Sequence, residues 1–359
     1  MDDPIEISGA GPAGLAAAIV AAKAGRRVIV YEQRGEVGAR FSGDFQGLEN
    51  WTTEGDVLEG LAGFGIEPTF DALPVREQIS YDPKGERRVL CSAHPFYYLV
   101  RRGPYPGSLD EGLKQQALAA GVELRLKQRR EDSRPRAVVA SGPKRSLIVA
   151  AGYTFPTDLP DGCYVALSDR LAPGGYAYLL IWGGKATLAT CIFRDFPKVT
   201  EYLGRAVRFF EEKTGIVIED PRRCGGVGDA YLPRPLGRVP NLAGEAAGIQ
   251  DALWGFGIRY ALMSGCIAGR VALGEPRDAL ADLWTQRICR PVEASFVNRW
   301  LYSSCGDVTY RLLLRLLARS RDPRGFMRDF YRPRWWKLLF SPLAAGLSAQ
   351  RLALERGAD

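Results

Sequence analysis

The chain has 359 residues, 46% of them apolar and 25% charged, enough for two domains or one composite domain with a real core, and unlike a disordered or fibrous protein. The net charge of +7 lies entirely at the end: residues 281–359 hold 14 Arg and Lys against 7 Asp and Glu, so residues 1–280 sum to zero. No nucleic-acid-binding module accompanies that charge, none of the 7 cysteines forms a C-x-x-C pair, and His94 is the only histidine, so nucleic-acid recognition, a disulfide framework and a metal centre are all set aside.

The first strand is expected at Ile5–Ser8, behind only Met-Asp-Asp-Pro, which leaves no room for a targeting peptide. The longest uncharged runs, such as Leu171 to Gly184, are shorter than the roughly 20 residues of a spanning helix, so a cytoplasmic location is expected. An alanine-rich helix follows over Pro12–Ala24, stopped by Gly25, and a second buried strand over Arg27–Tyr31, completing a β-α-β unit. Its first turn reads Gly9-Ala10-Gly11-Pro12-Ala13-Gly14. In that pattern Gly9 permits the tight turn, Gly11 lets a pyrophosphate approach the backbone, and Gly14 allows close helix–strand packing. The phosphate charge would face the helix N-terminus with its open N–H groups. Glu32 ends the second strand 18 residues after Gly14, where an acidic side chain accepts a hydrogen bond from a ribose hydroxyl, with Gln33 beside it.

Residues 75–91 read as a hairpin about the turn Asp82-Pro83-Lys84-Gly85. A helix over Leu109–Ala120 ends at Gly121, and strands follow over Val122–Lys127, Ala137–Ala140 and Ser146–Ala151. From Cys163 to Phe193, strand-like runs broken by Pro173-Gly174-Gly175 and Gly183-Gly184 imply an antiparallel sheet, and Thr200–Lys213 is an amphipathic helix. Gly225-Gly226-Val227-Gly228 lacks a helical pattern after it and is not a second nucleotide site. About 230 residues beyond the first motif, Gly244-Glu245-Ala246-Ala247-Gly248 leads to Trp254-Gly255-Phe256-Gly257-Ile258, which opens a helix through Gly269. A carboxylate at Glu245 could bond ribityl hydroxyls, and a helix N-terminus at Gly257 and Ile258 could stabilise negative charge on a reduced flavin. Beyond residue 281 the chain reads as helical.

The fold class is therefore an α/β composite: a Rossmann-type FAD-binding domain over 1–74, 101–157 and 222–280, an inserted antiparallel-sheet substrate domain over 75–100 and 158–221, and a helical segment over 281–359. This layout resembles the geranylgeranyl reductase family, within the flavoproteins shaped like para-hydroxybenzoate hydroxylase. The resemblance spans roughly residues 4–275 and implies FAD as cofactor. It matches Tyr97–Arg102 to a strand ending in an FAD-contacting arginine, Arg101 or Arg102, and Val138–Gly142 to the strand end packed near the dinucleotide, with Gly142 at its tip. Gly244-Glu245 stands for the usual Gly-Asp, and Arg40, Ser42 and Gly43 lie in a stretch that commonly holds Cys-Gly near the flavin, Ser42 replacing the Cys. Tyr176-Ala177-Tyr178-Leu179-Leu180-Ile181 stands for the family's Y-x-W-x-F-P substrate motif, which makes Tyr176 and Tyr178 the candidate catalytic residues.

The resemblance implies reduction of carbon–carbon double bonds in an isoprenoid-type lipid. Two alternatives stay open at this point: an FAD-dependent monooxygenase of an aromatic or lipid substrate, and an electron-transfer flavoprotein serving a membrane quinone. With no second Rossmann motif, the reductant, a nicotinamide cofactor or a redox protein, must visit transiently. Trp335, Trp336, Leu338, Leu339 and Phe340, beside Arg332, Arg334 and Lys337, raise a peripheral membrane contact.

Overall fold

The computed structural model describes residues 3–53, 55–130, 137–143, 146–236 and 241–356. Its first layer grows from the β-α-β unit. Strand β1 (Ile5–Ser8) is buried along its whole length, helix α1 (Pro12–Lys23) follows, and β2 (Val28–Glu32) pairs with β1 in parallel, Ile5 opposite Val28. A continuous apolar strand is what a parallel sheet covered on both faces demands. Strand β3 (Phe45–Glu49) and helix α2 (Val57–Ala62) come next, capped by the Asp56 carboxylate on the Leu58 N–H, and neither stands out in the sequence pattern.

Strands β4 (Ala72–Val75), β5 (Glu77–Tyr81), β6 (Arg87–Cys91) and β7 (Tyr97–Arg101) precede helix α3 (Leu109–Ala119), whose N-cap Ser108 accepts from the Glu111 N–H. Then come β8 (Glu123–Leu126), β9 (Val138–Val139), β10 (Ile148–Pro156), β11 (Gly162–Ala166), β12 (Tyr176–Trp182) and β13 (Lys185–Ile192). Helix α4 (Val199–Thr214), β14 (Arg222–Gly228) and α5 (Ile258–Ala272) complete the α/β part.

Among the described residues the strands form three sheets. The order β8-β2-β1-β9 forms the parallel nucleotide-binding sheet, β3-β7-β4 a small antiparallel one, and β14-β10-β13-β12-β11-β5-β6 a seven-stranded sheet. The expected hairpin is β5–β6, and the expected antiparallel sheet is β11–β12–β13. The seven-stranded sheet also recruits β10 and β14, which flank the expected 158–221 span, and joins the hairpin to β11 by a parallel pairing, Ile79 opposite Tyr164. Helix α4 covers one face of this sheet with Tyr202, Leu203, Ala206 and Phe210, each large apolar side chain contributing about 1.5–3 kcal/mol by burial. The other face looks toward the nucleotide-binding sheet and the C-terminal helices.

Helix α1 has no polar face because it lies sandwiched between β1 and α5. The small residues decide how close α5 comes: a Cβ on Gly265 would sit 2.1 Å from the Ala13 carbonyl oxygen, and one on Gly269 2.7 Å from that of Ala17. Helices α6 (Arg277–Trp284), α7 (Arg290–Ser304), α8 (Asp307–Arg319), α9 (Pro323–Tyr331) and α10 (Trp335–Arg356) close the chain. They bury Trp284, Phe296, Tyr302, Tyr310, Leu314 and Leu317. Among the described residues no helix is long and apolar enough to cross a membrane.

Candidate active site

One cavity of about 970 Å³ runs from the glycine fingerprint, past α5, to the C-terminal helices. At its nucleotide end Gly9 has φ +100°, a conformation that disfavours a side chain, and a Cβ there would lie 2.3 Å from the Ala140 carbonyl oxygen. Above Gly11 there is open space, with no atom within 4 Å of a would-be Cβ. Gly14 does not reach the cavity; its Cβ would meet the Gly9 carbonyl oxygen at 1.9 Å, so its task is packing. Gly11 caps α1 without a side-chain bond and no acidic residue lies in the first turn, so the helix N-terminus is open to an anion. Glu32 accepts from the Ala10 and Arg34 N–H groups at 3.0 and 2.9 Å, which fixes its carboxylate at the end of β2. Pro12, Ala13, Glu32, Gln33 and Gly142 all line this end, with Tyr31 and Arg130.

Arg40, Arg102, Gly244 and Glu245 line the middle of the cavity. Arg102 and Arg101 are consecutive, so their side chains leave the chain in opposite directions. Arg102 faces the cavity and is clamped by Asp110, Nε to Oδ2 at 2.8 Å and Nη2 to Oδ1 at 2.9 Å, while Nη1 reaches Gln46. Burial works against its charge, but Asp110 holds its pKa above the ordinary arginine value. Arg101 instead lies over the Tyr105 ring, 4.4 Å from its centroid, away from the cavity wall. Ser42 and Gly43 are also off the wall: the Ser42 hydroxyl donates to the Arg223 carbonyl at 3.0 Å, and Gly43 abuts Arg101 and Tyr105. Burial pushes the Glu245 carboxyl up to about 7, against the pull of Arg40 and Arg102. Gly244 donates to Ser264 Oγ at 2.9 Å and would touch Ala13 if it had a side chain, so the two distant glycine motifs meet.

Gly257 caps α5 without a side-chain bond, and Gly257 and Ile258 line the cavity beside Gly255. Three side chains here escaped notice in the sequence. Gln250, Trp254 and Trp51 line the wall, and Gln250 Oε1 and both indole Nε1 atoms are buried with no partner among the described residues. Such orphaned groups are rare and call for a ligand. The Trp254-Gly255-Phe256-Gly257-Ile258 run hinted at one of them; Trp51 and Gln250 carry no local pattern. An open α1 N-terminus, a ribose-type carboxylate, a mid-cavity arginine and orphaned polar atoms around a second open helix end fit an extended dinucleotide carrying a polar ring system.

Past Gly257, Tyr176 and Tyr178 project from β12 into the cavity, their rings 5.8 Å apart. Burial raises both phenols well above their usual range, so both are neutral at physiological pH. Tyr176 donates to the Trp254 carbonyl at 2.7 Å, whereas the Tyr178 hydroxyl makes no hydrogen bond among the described residues. Cys191 and Cys224 also line the wall, but burial holds each thiol at about 12, so neither is a ready nucleophile. The cavity ends in an apolar arm lined by Leu90, Phe96, Val165, Leu167, Leu180, Leu314, Leu317 and Met327. No metal-ligating cluster exists among the described residues.

Known proteins share parts of this sequence and this fold. Residues 7–48 match the NAD(P)-binding Rossmann-like domain. The chain is 25% identical to a digeranylgeranylglycerophospholipid reductase from Methanopyrus kandleri, over 76% of this chain and 77% of that one. A geranylgeranyl bacteriochlorophyll reductase-like protein from Thermoplasma acidophilum shares the fold, with a TM-score of 0.70 and 19% identity over 97% of this chain and 98% of its own. A probable FAD-dependent monooxygenase from Pseudomonas aeruginosa shares it at a TM-score of 0.61 and 16% identity, over 88% and 99% of the two chains.

Proposed function

We infer that this chain, an FAD-dependent oxidoreductase of the geranylgeranyl reductase type, saturates carbon–carbon double bonds of an isoprenoid-type lipid lying between the flavin and β12. The carrying observation is the continuity of one cavity from the dinucleotide fingerprint into an apolar arm. An electron-transfer protein without a small-molecule substrate has no use for such an arm. In the proposed complex Gly9, Gly11, Pro12 and Ala13 cradle the pyrophosphate, Glu32, Gln33 and Gly142 flank the adenosine end, and Arg40, Arg102, Gly244 and Glu245 flank the central part. Gly257 and Ile258 present their amides to the flavin ring. Gly14 acts through packing. Reduced FAD, when bound, supplies the hydride.

The chain's own contribution is orientation, a dry wall and a proton. Tyr178 is the better proton carrier of the two tyrosines, because its neutral hydroxyl has no hydrogen-bond partner among the described residues, while Tyr176 is tied to Trp254. Oxygen-free reaction of the reduced holoenzyme with geranylgeranyl phospholipid should yield saturated product, detected by mass spectrometry. Product carrying an inserted oxygen atom under air, with no saturated product without it, would sink the reading in favour of a monooxygenase. Tyr178→Phe should slow saturation about 100-fold or more while leaving flavin content unchanged.

The reductant remains a transient visitor, a nicotinamide cofactor or a redox protein. Substrate delivery from a membrane belongs to the same proposal. Trp335, Leu339, Leu343 and Leu347 are exposed at four-residue intervals on α10, and Val308, Leu312 and Leu316 on α8. Exposed Arg315, Arg319, Arg332 and Arg334 accompany them, which suits an anionic lipid surface. Helix α8 turns Leu314 and Leu317 to the cavity while its other face is exposed. Lys337 is not part of that surface: it is buried, donates to Asn298 Oδ1 at 2.6 Å and to the Phe330 carbonyl, and burial lowers it to about 8. Flotation with phosphatidylglycerol vesicles should be lost in Trp335→Ser/Leu339→Ser; unchanged flotation would remove the membrane contact.

A further inference from the structure

Residues in register cross the cavity face of the seven-stranded sheet in rows. In one row Tyr178 of β12 stands opposite Ala189 of β13, Ala189 opposite Gly152 of β10, and Gly152 opposite Cys224 of β14. Tyr178 and Cys224 both line the cavity, three interstrand spacings or about 14 Å apart, with only a methyl group and a glycine between them. The chain from Ser42 to Phe45 is fastened across this floor one row along. The Ser42 hydroxyl donates to the Arg223 carbonyl of β14, Thr154 Oγ1 donates to the Ser42 carbonyl at 3.4 Å, and the Phe45 N–H donates to Thr187 Oγ1 at 2.9 Å. Thr154 and Thr187 are opposite each other, each two residues from the Gly152–Ala189 pair and so on the same face. Asp44 lies between these fastenings and lines the cavity, flanked by Tyr178 on one side and Cys224 on the other.

Asp44 is only 4% exposed. Its carboxylate accepts from the Ser42 N–H at 3.2 Å and from Gln46 Nε2 at 2.9 Å, and Gln46 Oε1 accepts from Arg102 in turn. Burial pushes the carboxyl up, while the Gln46 bond and the charge of Arg102 pull it down. Arg40 is the second cation that faces Asp44, and Glu245 shares both arginines. Tyr178 and Cys224 are each raised first by burial, and the charge of Asp44 adds to both; Cys191 of β13 also faces Tyr178. Arg40 and Arg102 flank the central, phosphate-bearing part of the proposed cofactor complex. A bound pyrophosphate draws on their charge, so Asp44 then holds a proton more firmly. Tyr178, once it has given its proton to carbon, is a phenolate in a buried site and a strong base.

We propose that Asp44 holds the proton that recharges Tyr178 after each saturation, which makes Asp44 a positioning residue acting through Tyr178. The Tyr178 O–H bond breaks as its proton forms the new C–H bond, and the electron pair arrives with the hydride of reduced FAD. The Asp44 O–H bond breaks next, its proton closes the phenol again through one bridging water, and the carboxylate takes a replacement proton from solvent. This role rests on the reductase reading and on Tyr178 as its proton carrier. The first test needs no turnover. 3,5-Difluorotyrosine, whose phenol ionises nearer neutral pH, would replace Tyr178, and its titration would be followed by fluorine NMR in the oxidised holoenzyme. Asp44→Asn removes a charge that opposes the phenolate, so the midpoint should fall by about 0.5–1 pH unit. The second test uses the native tyrosine and geranylgeranyl phospholipid without oxygen. Asp44→Asn should slow steady-state saturation about tenfold or more while the first turnover of pre-reduced enzyme stays within about twofold of the parent, and Asp44→Glu should restore most of the loss. An unmoved midpoint, an unaffected steady state, or equal slowing of first and later turnovers overturns the recharging role, and with saturated product still formed the reductase reading survives. A moved midpoint with no saturated product from any variant would sink the reductase reading and the recharging role with it, leaving only the coupling of the two groups.

Discussion

Replacing Gly265 with alanine sets two effects of opposite sign against each other. Within a helix interior, Gly→Ala ordinarily stabilises by about 1 kcal/mol through lower backbone entropy in the unfolded chain. Here the new methyl would lie 2.1 Å from the Ala13 carbonyl oxygen, where real contacts begin near 3.0 Å. The obstacle is backbone, not a flexible side-chain tip, so α1 and α5 must part by roughly 1 Å in a close-packed interior. Overpacking of this kind costs about 1–3 kcal/mol, and parted helices also lose contact along their shared face, so the steric term wins. The shift reaches the site as well, because Gly11 caps α1 and Gly257 caps α5, and both line the cavity. Gly204 in α4 is the control, since nothing lies within 4 Å of its would-be Cβ. Urea unfolding should find Gly204→Ala more stable than the parent by about 0.5–1 kcal/mol, and Gly265→Ala less stable by about 1–3 kcal/mol with depleted FAD. If Gly265→Ala proves as stable as the parent and equally yellow, the close crossing of α1 and α5 is not what positions the cofactor.

Arg102→Leu should strip most FAD from the purified protein, whereas Arg101→Leu should retain it; equal loss from both would contradict the assignment of Arg102 to the cavity. Glu245 titrates higher in the folded apoprotein, near 7, than in an unfolded chain, near 4.5. The folded state therefore holds that proton more tightly, and this contribution to stability is complete below about pH 4.5 and disappears as pH rises through 7. Glu245→Gln should flatten that part of the apoprotein's stability-versus-pH curve, and an unaltered slope in urea midpoints would count against it. Glu49, which pairs with Arg259 where both are buried, also receives the Trp51 and Thr52 N–H groups. Glu49→Gln leaves a buried guanidinium without its counter-charge and should cost about 3–5 kcal/mol in urea unfolding; a loss below about 1 kcal/mol would mean the pair carries little.

Local chemistry made much of this molecule legible in the sequence. The fingerprint at Gly9–Gly14, the strands around it, the turn at Asp82–Gly85 and the amphipathic run of α4 each depend on neighbours a few positions away. Glu32 was recognisable because its spacing from Gly14 follows from one helix and one strand. Between Arg101 and Arg102 the sequence could not choose, because only the placement of β7 beside β3, and the reach of Asp110 from α3, decides which side chain meets the cavity. Lys337 reads as surface charge in a basic segment, yet α10 packs on α7 and carries it inward to Asn298.

What the sequence determined alone is the turn of the dinucleotide site, since Gly9 takes a positive φ there and Gly14 packs on the Gly9 carbonyl within that same turn. What only the tertiary structure decided is the rest of the cavity. Its arm needs β5 laid parallel to β11, a pairing that no hairpin can make, and it needs Leu314, Leu317 and Met327 brought from the far end of the chain to close it. Gln78 and Ser80 look like ordinary alternating strand residues until that assembly encloses them. Burial is a property of the assembled layers, and no local pattern in β5 announces that these two polar side chains belong to the cavity wall.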